Sequence, residues 1–129
     1  MLTAASAWSV RETIDRLEAA VAEAGLLVFA RIDHAANAGT ALRPTELLIF
    51  GHPRGGTPLM LDRQTSGLDL PMKALAWEDS SGRTWLTYND AEWLAERHGL
   101  GPGSVAAVEA VSAGMAGLVR AVVARGADG

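Results

Sequence analysis

Residues 29–60 have the sequence FARIDHAANAGTALRPTELLIFGHPRGGTPLM, and this stretch decides how the 129-residue chain folds. It contains most of one apolar strand-like run, residues 26–34, and all of a second, residues 46–50. Pro44 fixes the backbone at the entry to the second run. Two such runs joined by a loop predict neighbouring strands of a sheet. The flanking segments must then supply the cover for the apolar face of that sheet.

Strand alternation assigns the side chains of these two runs to faces. In the first run it predicts that Arg31 and Asp33 share a face with Phe29. We therefore expect the charged side chains at one end of the strands and the apolar side chains in the middle. The second run is predicted to have three residues on one face, which are Glu46, Leu48 and Phe50.

The segment before this stretch predicts an amphipathic helix over residues 10–24, after a short strand at residues 2–8. Ser9 and Glu12 form a capping box, in which each side chain satisfies a backbone N–H that the first helical turn leaves free. Gly25 follows the last turn, as is common just past the end of a helix. The apolar face recurs at helical spacing; its residues are Val10, Ile14, Leu17 and Val21.

The segment after residue 60 predicts a hairpin followed by two helices. Residues 72–78 and 83–88 are strand-like, and the sequence Asp-Ser-Ser-Gly between them suits a type I turn closed by glycine. Residues 90–98 predict a short helix. After a Gly-Pro-Gly break, Ser104 can cap a long helix that runs to about Arg125.

The long C-terminal helix is apolar over more of its circumference than one sheet face can cover. Glu109 and Arg120 interrupt the apolar run. We therefore expect it to fall short of the roughly 20 apolar residues of a membrane span, and we expect no membrane partner. Contiguous apolar surface of this kind usually marks an interface, so the sequence predicts a homodimer formed through this helix.

The composition limits the classes of function. The chain has 11 basic and 15 acidic residues, a net charge of −4 and no basic run, which argues against a nucleic-acid partner. It has no cysteine, so disulfides, thiol catalysis and thiolate metal sites are excluded. The N-terminus lacks the features of a secretory signal, and we expect a cytoplasmic protein. The length fits a single domain over residues 1–129.

Four blocks of the sequence, in order, carry a family resemblance. They are FARIDHAANA at residues 29–38, LRPTELLIFGHPRGGTPLM at 42–60, LDLPMKALAWED at 68–79 and WLTYND at 85–90. With these blocks the chain resembles the domain of unknown function 302 family. His52 occupies a position where that family is expected to have asparagine. The resemblance implies a TBP-like, helix-grip fold in which the long helix lies across the sheet, and it implies no particular activity.

We predict an α+β fold with a curved, mainly antiparallel sheet. An N-terminal helix and a long C-terminal helix pack against this sheet, in the order β-α-β-β-β-β-α. A sheet that grips a helix leaves a cavity between the two. We expect seven polar side chains near this cavity, namely Arg31, Asp33, His34, Glu46, His52, Lys73 and Tyr88.

Two histidines and a glycine-rich loop are the candidate chemical features of the central stretch. His34 and His52 each follow an apolar run, and with nearby carboxylates they have the residue types of a metal site, but not the spacing of a ligand motif. We expect no metal and no cofactor. The loop carries Gly55, Gly56 and Thr57 and could hold an anion at a helix start, although it lacks the lysine of a nucleotide-binding loop. Alternatively, its glycines only permit a sharp turn.

Lys73 is the only lysine of the chain beside ten arginines. A compact ammonium group at the start of a strand suits a partly buried ion pair or amine chemistry. An unpaired charge in such a position is unfavourable. We therefore expect Lys73 within salt-bridge distance of Glu46 or Asp33.

The sequence favours a domain that binds a small polar or anionic molecule and acts as a homo-oligomer. One alternative is an enzyme that uses Lys73, Glu46 or His34 in acid–base chemistry. A second alternative is a structural or interaction module, which a filled interior would favour.

Overall fold

The computed structural model describes residues 1–52 and 54–125 of the chain. Five strands form one antiparallel sheet. They are β1 (Leu2–Ser6), β2 (Leu27–Asp33), β3 (Thr45–Gly51), β4 (Met72–Glu78) and β5 (Thr84–Tyr88). Their order across the sheet is β1-β5-β4-β3-β2, so β4 is central and β1 and β2 are the edges.

Five α-helices accompany the sheet: α1 (Val10–Glu23), α2 (His34–Asn37), α3 (Thr57–Asp62), α4 (Ala91–His98) and α5 (Val105–Val123). Two 3₁₀ turns, Gln64–Leu68 and Pro102–Ser104, precede β4 and α5. The predicted α+β class, with its antiparallel sheet, N-terminal helix and long C-terminal helix, is confirmed. The predicted order of major elements is also correct.

The register of the strands determines which side chains face the helices. Residues directly opposite each other in an antiparallel pair share a face. Leu48 lies opposite Ala74, and Ala74 lies opposite Tyr88, so all three point to the helix-covered face. Every buried residue of β3, β4 and β5 belongs to this face; they are Glu46, Leu48, Phe50, Met72, Ala74, Ala76, Thr84, Leu86 and Tyr88.

Helix α1 occupies the position across the sheet. The Ser9 hydroxyl accepts a hydrogen bond from the Glu12 N–H at 3.1 Å, which confirms the predicted cap. The helix contacts β2, β3, β4 and β5, whereas α5 packs against α1, α4 and the edge strand β1. The expectation that the long helix lies across the sheet is therefore corrected. The reason is that α1 has the continuous apolar stripe, with Ile14, Leu17 and Val21 fully buried.

Helix α5 is broad in its apolar surface, as the sequence predicted, but only one side is buried. Val108, Met115, Val119 and Val122 belong to the core, while Ala106 and Ala113 on other sides are exposed. The helical segment Pro102–Val123 is long and apolar enough, by length and composition alone, to cross a membrane. Glu109 and Arg120 therefore do not exclude a membrane span, contrary to the expectation. Core helices of soluble proteins meet the same criterion, but they are mostly buried, whereas 22% of the most apolar stretch of this helix is buried.

A bulge in β2 corrects the predicted alternation of that strand. Val28 lies opposite Phe50 and Ala30 opposite Ile49, so Phe29 has no partner in the register. A bulge adds one residue on one strand and reverses the alternation beyond it. Arg31 therefore shares a face with Val28 rather than with Phe29.

Candidate ligand-binding cavity

A cavity of about 650 Å³ lies between α5 and the end of the sheet. Phe50 and Met72 form its floor on the helix-covered face of β3 and β4, and Phe29 reaches it from the bulge in β2. The connection between β3 and β4, residues 52–71, closes another side. Its volume lies within the range of about 300–1,000 Å³ for small-molecule sites.

Three of the six residues that α5 contributes to the cavity wall are small. Ala107, Ala110 and Gly114 recur at a spacing of three and four, which places them on one side of the helix. A glycine inside a helix destabilises it by about 1 kcal/mol relative to alanine. A Cβ atom built on Gly114 meets no heavy atom within 4 Å. Close packing therefore does not require a glycine at position 114. Because Gly114 has no side chain, the cavity is wider there.

The wall from the β3–β4 connection is closely packed at its glycines. A Cβ atom on Gly56 would lie 2.9 Å from Leu70 Cδ1, and one on Gly67 would lie 3.1 Å from Met60 Sδ. Side chains at these two positions would push apart neighbouring parts of the connection itself. Gly56, which the sequence singled out, therefore serves a close approach inside the wall.

The cavity lining is almost entirely apolar. Among the described residues that line it, His52 is the only ionisable one, and three methionines, Met60, Met72 and Met115, contribute flexible and polarisable surface. The His52 Nδ1 accepts a hydrogen bond from the Arg54 N–H at 3.0 Å. In the neutral ring, Nε2 then carries the proton. The lining thus offers one side-chain donor, on an exposed residue.

The loop between β3 and α3 does not form the predicted anion cradle. Its N–H groups are used internally: Arg54 donates to His52 Nδ1, Gly55 to the His52 carbonyl and Thr57 to the Arg54 carbonyl. Gly56 is the N-cap of α3, and Thr57 is the first helical residue. The helix has only six residues. The tight turn thus takes up three of the amides that an anion would need.

A carboxylate joins the end of α3 to the start of α5. Asp62 Oδ2 accepts hydrogen bonds from the Gly101 N–H at 2.8 Å and the Ser104 hydroxyl at 2.7 Å. These bonds, that of Ser104 first, hold the pKa of Asp62 below its usual range. Ser104 is the N-cap residue of α5, but its hydroxyl makes this contact in place of the predicted helix cap. The bond links two walls of the cavity.

A second carboxylate joins the β3–β4 connection to α4. Asp69 contacts His98 Nε2 and Arg97, and His98 Nδ1 lies 3.0 Å from the Thr65 hydroxyl. This hydroxyl, imidazole and carboxylate row has the residue types of a nucleophile relay, but it lines neither cavity described here. The sequence interpretation placed His98 only at a helix end. No local pattern links it to a residue about 30 positions earlier.

Arg31 and Glu46 form an ion pair between β2 and β3. Arg31 Nη2 lies 3.0 Å from Glu46 Oε1, and its Nη1 lies 2.7 Å from Asp15 and 3.5 Å from Glu18 on α1. Glu46 is only 6% exposed. Burial acts to lower the pKa of Arg31, but the hydrogen bonds to Asp15 and Glu46 outweigh it and raise that pKa. These side chains fasten α1 to the sheet and lie outside the cavity.

Lys73 faces away from both carboxylates that were predicted to pair with it. It lies opposite Ile49, whereas Glu46 lies opposite Ala76 on the helix-covered face. Asp33 lies opposite Glu46 and shares its face. The sheet itself separates the Lys73 ammonium group from Glu46 and Asp33. The predicted salt bridge is wrong, because its geometry depended on a register that the sequence does not specify.

The other predicted site residues are also dispersed. His34 and His52 lie at opposite ends of the β2–β3 pair, about 20 Å apart at 3.3 Å per residue. Asp33 caps α2 by accepting from the Ala36 N–H at 2.9 Å. Tyr88 is buried, and burial together with the Asp90 charge raises its pKa. Of the ten candidates, the structure brings His52, Gly55 and Gly56 to the cavity.

A smaller cavity of about 300 Å³ lies near the start of α1 and is lined in part by Asp33, Glu46 and Glu78. Among residues 1–52 and 54–125, no group of three or more histidines and carboxylates is arranged to hold a metal ion. The apolar cavity is therefore the better candidate for a binding site.

Comparisons with known proteins point to one family. The family described as "Domain of unknown function DUF302" matches residues 2–122. The chain is similar to a crystal structure titled as an uncharacterized conserved protein DUF302 from Bacillus stearothermophilus. The TM-score is 0.72 at 19% identity, over 95% of this chain and 94% of that one. At this identity the likeness shows the fold alone.

The chain also resembles part of two longer curated proteins. Each is named "Fluoride-specific ion channel FluC 1", one from Brucella suis biovar 1 (strain 1330) and one from Brucella abortus biovar 1 (strain 9-941). Both are 53% identical over 117 residues. The match covers 88% of this chain but 46% and 43% of those proteins. The chain thus spans less than half the length of these relatives.

Replacement of Arg31 tests the ion pair between α1 and the sheet. Arg31→Met should lower the free energy of unfolding by about 3–5 kcal/mol, because Glu46 remains buried without a partner. The double variant Arg31→Met with Glu46→Leu should recover much of this loss, since it removes the unpaired charge. Urea unfolding measures both. A single-variant loss below about 1 kcal/mol, the range of surface pairs, would contradict the assignment.

Asp62→Asn tests the link between α3 and α5 through its pH dependence. The folded pKa of Asp62 lies below its ordinary value of 3.8, so its ionised form stabilises the fold above that pH. This contribution disappears as the pH falls through the folded pKa. The variant should have a lower Tm than the wild type at pH 7, and the difference should shrink below pH 3.8. Glu96→Gln, at an exposed carboxylate of α4, is the control. A Tm difference independent of pH refutes the link.

Proposed function

This chain belongs to the DUF302 family, whose name assigns no activity, and we propose that it binds a small apolar molecule in the cavity between α5 and the β3–β4 connection. The observation that carries this proposal is the lining of the cavity. A space of about 650 Å³ has apolar side chains on every wall, and within the described part of the chain His52 is the only ionisable residue that lines it.

The apolar lining favours a ligand with an apolar body. Removing apolar surface from water contributes about 25 cal/mol per Å², whereas a buried charge without a partner is strongly unfavourable. The sequence favoured a polar or anionic ligand because it grouped Arg31, Glu46 and Lys73 at one site. These residues lie outside the cavity. The His52 Nε2–H can serve at most one polar group of the ligand.

The shape of α5 supports the same proposal. Gly114 weakens the helix and leaves space where most helix residues would fill it. The three methionines can adapt to ligands of different shape because their side chains are flexible. Small residues of α5 together with Met60, Met72 and Met115 suit an aromatic or aliphatic molecule better than one fixed by many hydrogen bonds.

The enzyme alternative has less support. Glu46 and His34 lie at the same end of the sheet, but Lys73 lies on the other face from Glu46 and near the opposite end, so the three form no common site. The name of the Brucella relatives describes proteins more than twice as long as the matched segment. We therefore do not carry ion conduction over to this chain.

Gly114→Leu should block the cavity without harming the fold. The leucine side chain enters space in which Cβ meets no atom within 4 Å, and it removes a helix-weakening glycine. The probe is N-phenyl-1-naphthylamine, an uncharged dye whose fluorescence rises in apolar surroundings. We expect saturable binding to the wild type and binding at least about 10-fold weaker to the variant, a change of about 1.4 kcal/mol.

Gly117→Leu is the matched control for this test. Gly117 is on the same helix, also has open space at Cβ and does not line the cavity. It should bind the dye like the wild type, and neither variant should have a lower Tm. Absence of saturable binding to the wild type would contradict the proposal. Equal binding by Gly114→Leu and Gly117→Leu would place the dye elsewhere and also contradict it.

A further inference from the structure

The sheet has a second face that the described helices do not cover. We call it the outer face; it consists of the strand side chains that point away from α1 and α5. In β3, β4 and β5 these side chains alternate with the buried ones and keep partial exposure. The register assigns them as Thr3, Ala5, Leu27, Ala30, Ile32, Thr45, Leu47, Ile49, Lys73, Leu75, Trp77, Trp85 and Thr87.

The charged residues of the strands lie mainly on the helix-covered face. This is the reverse of what is expected if the outer face is in contact with water. Antiparallel sheets with one covered face usually have apolar side chains inside and polar ones outside. Here the strands contain five charged residues, and four of them, Arg31, Asp33, Glu46 and Glu78, lie on the helix-covered face. Lys73 is the only charged strand residue on the outer face, and Asp79 and Arg83 of the β4–β5 turn contact Trp85 at its edge. A face of this composition is suited to burial.

Two tryptophans on the outer face need no polar partner. Trp77 and Trp85 are stacked with ring centroids 6.3 Å apart. The Trp77 indole N–H donates to the Thr87 hydroxyl at 2.8 Å, and that of Trp85 donates to Asp79 at 2.9 Å. With both donors satisfied inside the chain, the partly exposed rings can be buried without loss of a hydrogen bond. The outer face therefore fits an apolar occupant.

We infer that the outer face is an interface between two copies of this chain, packed sheet against sheet. Two antiparallel sheets pack face to face through interdigitated apolar side chains. Identical faces are self-complementary in a two-fold dimer. The occupant is a second copy because two outer faces can meet without bringing carboxylates of their strands together. The chain has a net charge of −4, yet no strand side chain of the outer face is a carboxylate, and Asp79 at its edge is bonded to Trp85.

The size of the outer face agrees with this inference. Five strands spaced about 4.8 Å apart, with up to seven residues rising about 3.3 Å each, span roughly 550 Å² in projection. Side-chain relief makes the accessible area larger. Specific interfaces bury from about 600 Å² per partner, with about 800 Å² as the typical value. Lys73 is the second residue of β4, so its long side chain can extend beyond the interface.

The proposed dimer uses a different surface from the one that the sequence predicted for a homodimer. The sequence assigned the dimer to the apolar circumference of α5. In the structure Glu109 and Arg120 are exposed on that helix beside Ala113. Two α5 helices brought together would bury these charges, whereas two outer faces would not. The proposed dimer is independent of the cavity, which lies on the other side of the sheet.

Paired glutamate variants distinguish the two surfaces. Leu75→Glu places a carboxylate in the middle of the outer face, and Ala113→Glu places one on the exposed side of α5. By sedimentation velocity at micromolar concentration, the wild type and Ala113→Glu should be dimers. Leu75→Glu should dissociate, with a dissociation constant raised about 100-fold or more by the buried unpaired charges. A monomeric wild type overturns the inference. So does dissociation of Ala113→Glu with Leu75→Glu unchanged.

Alkylation of single cysteines tests the interface without introducing a charge. The chain has no cysteine, so Ala30→Cys on the outer face and Ala113→Cys on α5 each report one surface. As protein concentration rises, the maleimide reaction of Ala30→Cys should slow several-fold, whereas that of Ala113→Cys should stay constant. The reverse pattern, or a constant rate for both, overturns the inference. This readout also applies if Leu75→Glu fails to fold, which circular dichroism would show.

Discussion

The register of β4 between β3 and β5 is the constraint on which the rest of the structure depends. With Leu48 and Tyr88 both opposite Ala74, every second residue of three strands is committed to the helix-covered face. A shift by one residue would exchange the two faces completely. It would expose Leu48 and bury Lys73. The apolar stripe of α1 packs on the face that this register creates, and the ion pair of Arg31 with Glu46 fastens the helix there.

The cavity results from the way in which α1 and α5 share the covered face. Because α1 takes the position over the sheet, α5 lies against α1 and β1 and leaves the ends of β3 and β4 uncovered. The β3–β4 connection closes this space, held by Asp62 at α5 and Asp69 at α4. The small residues of α5 then keep it open. Asp62 and Asp69 thus hold the β3–β4 connection in place, and the glycines of this connection allow it to pack closely.

The two proposed binding surfaces lie on opposite faces of one sheet. The cavity uses the helix-covered face, with Phe50 and Met72 as its floor, and the outer face presents Leu75 and Trp77. Strand β4 supplies residues to both proposed surfaces, because its side chains alternate between the two faces of the sheet. The residues involved remain separate, so a change on one face leaves the side chains of the other in place. A dimer through the outer face leaves the cavity accessible in both copies.

The sequence by itself determined the features that depend on neighbours a few residues apart. The Ser9 cap and the hairpin turn at residues 79–82 are both correct, because each is a local hydrogen-bond or backbone preference. Only the tertiary structure decided the site. The bulge at Phe29 and the strand register placed Arg31 with Glu46 and sent Lys73 to the outer face. Antiparallel pairing separated His34 from His52. The Ser104 hydroxyl donates to Asp62, 42 residues earlier in the chain, instead of capping α5. Such long-range pairings follow from the packing of the whole chain, which no local pattern encodes.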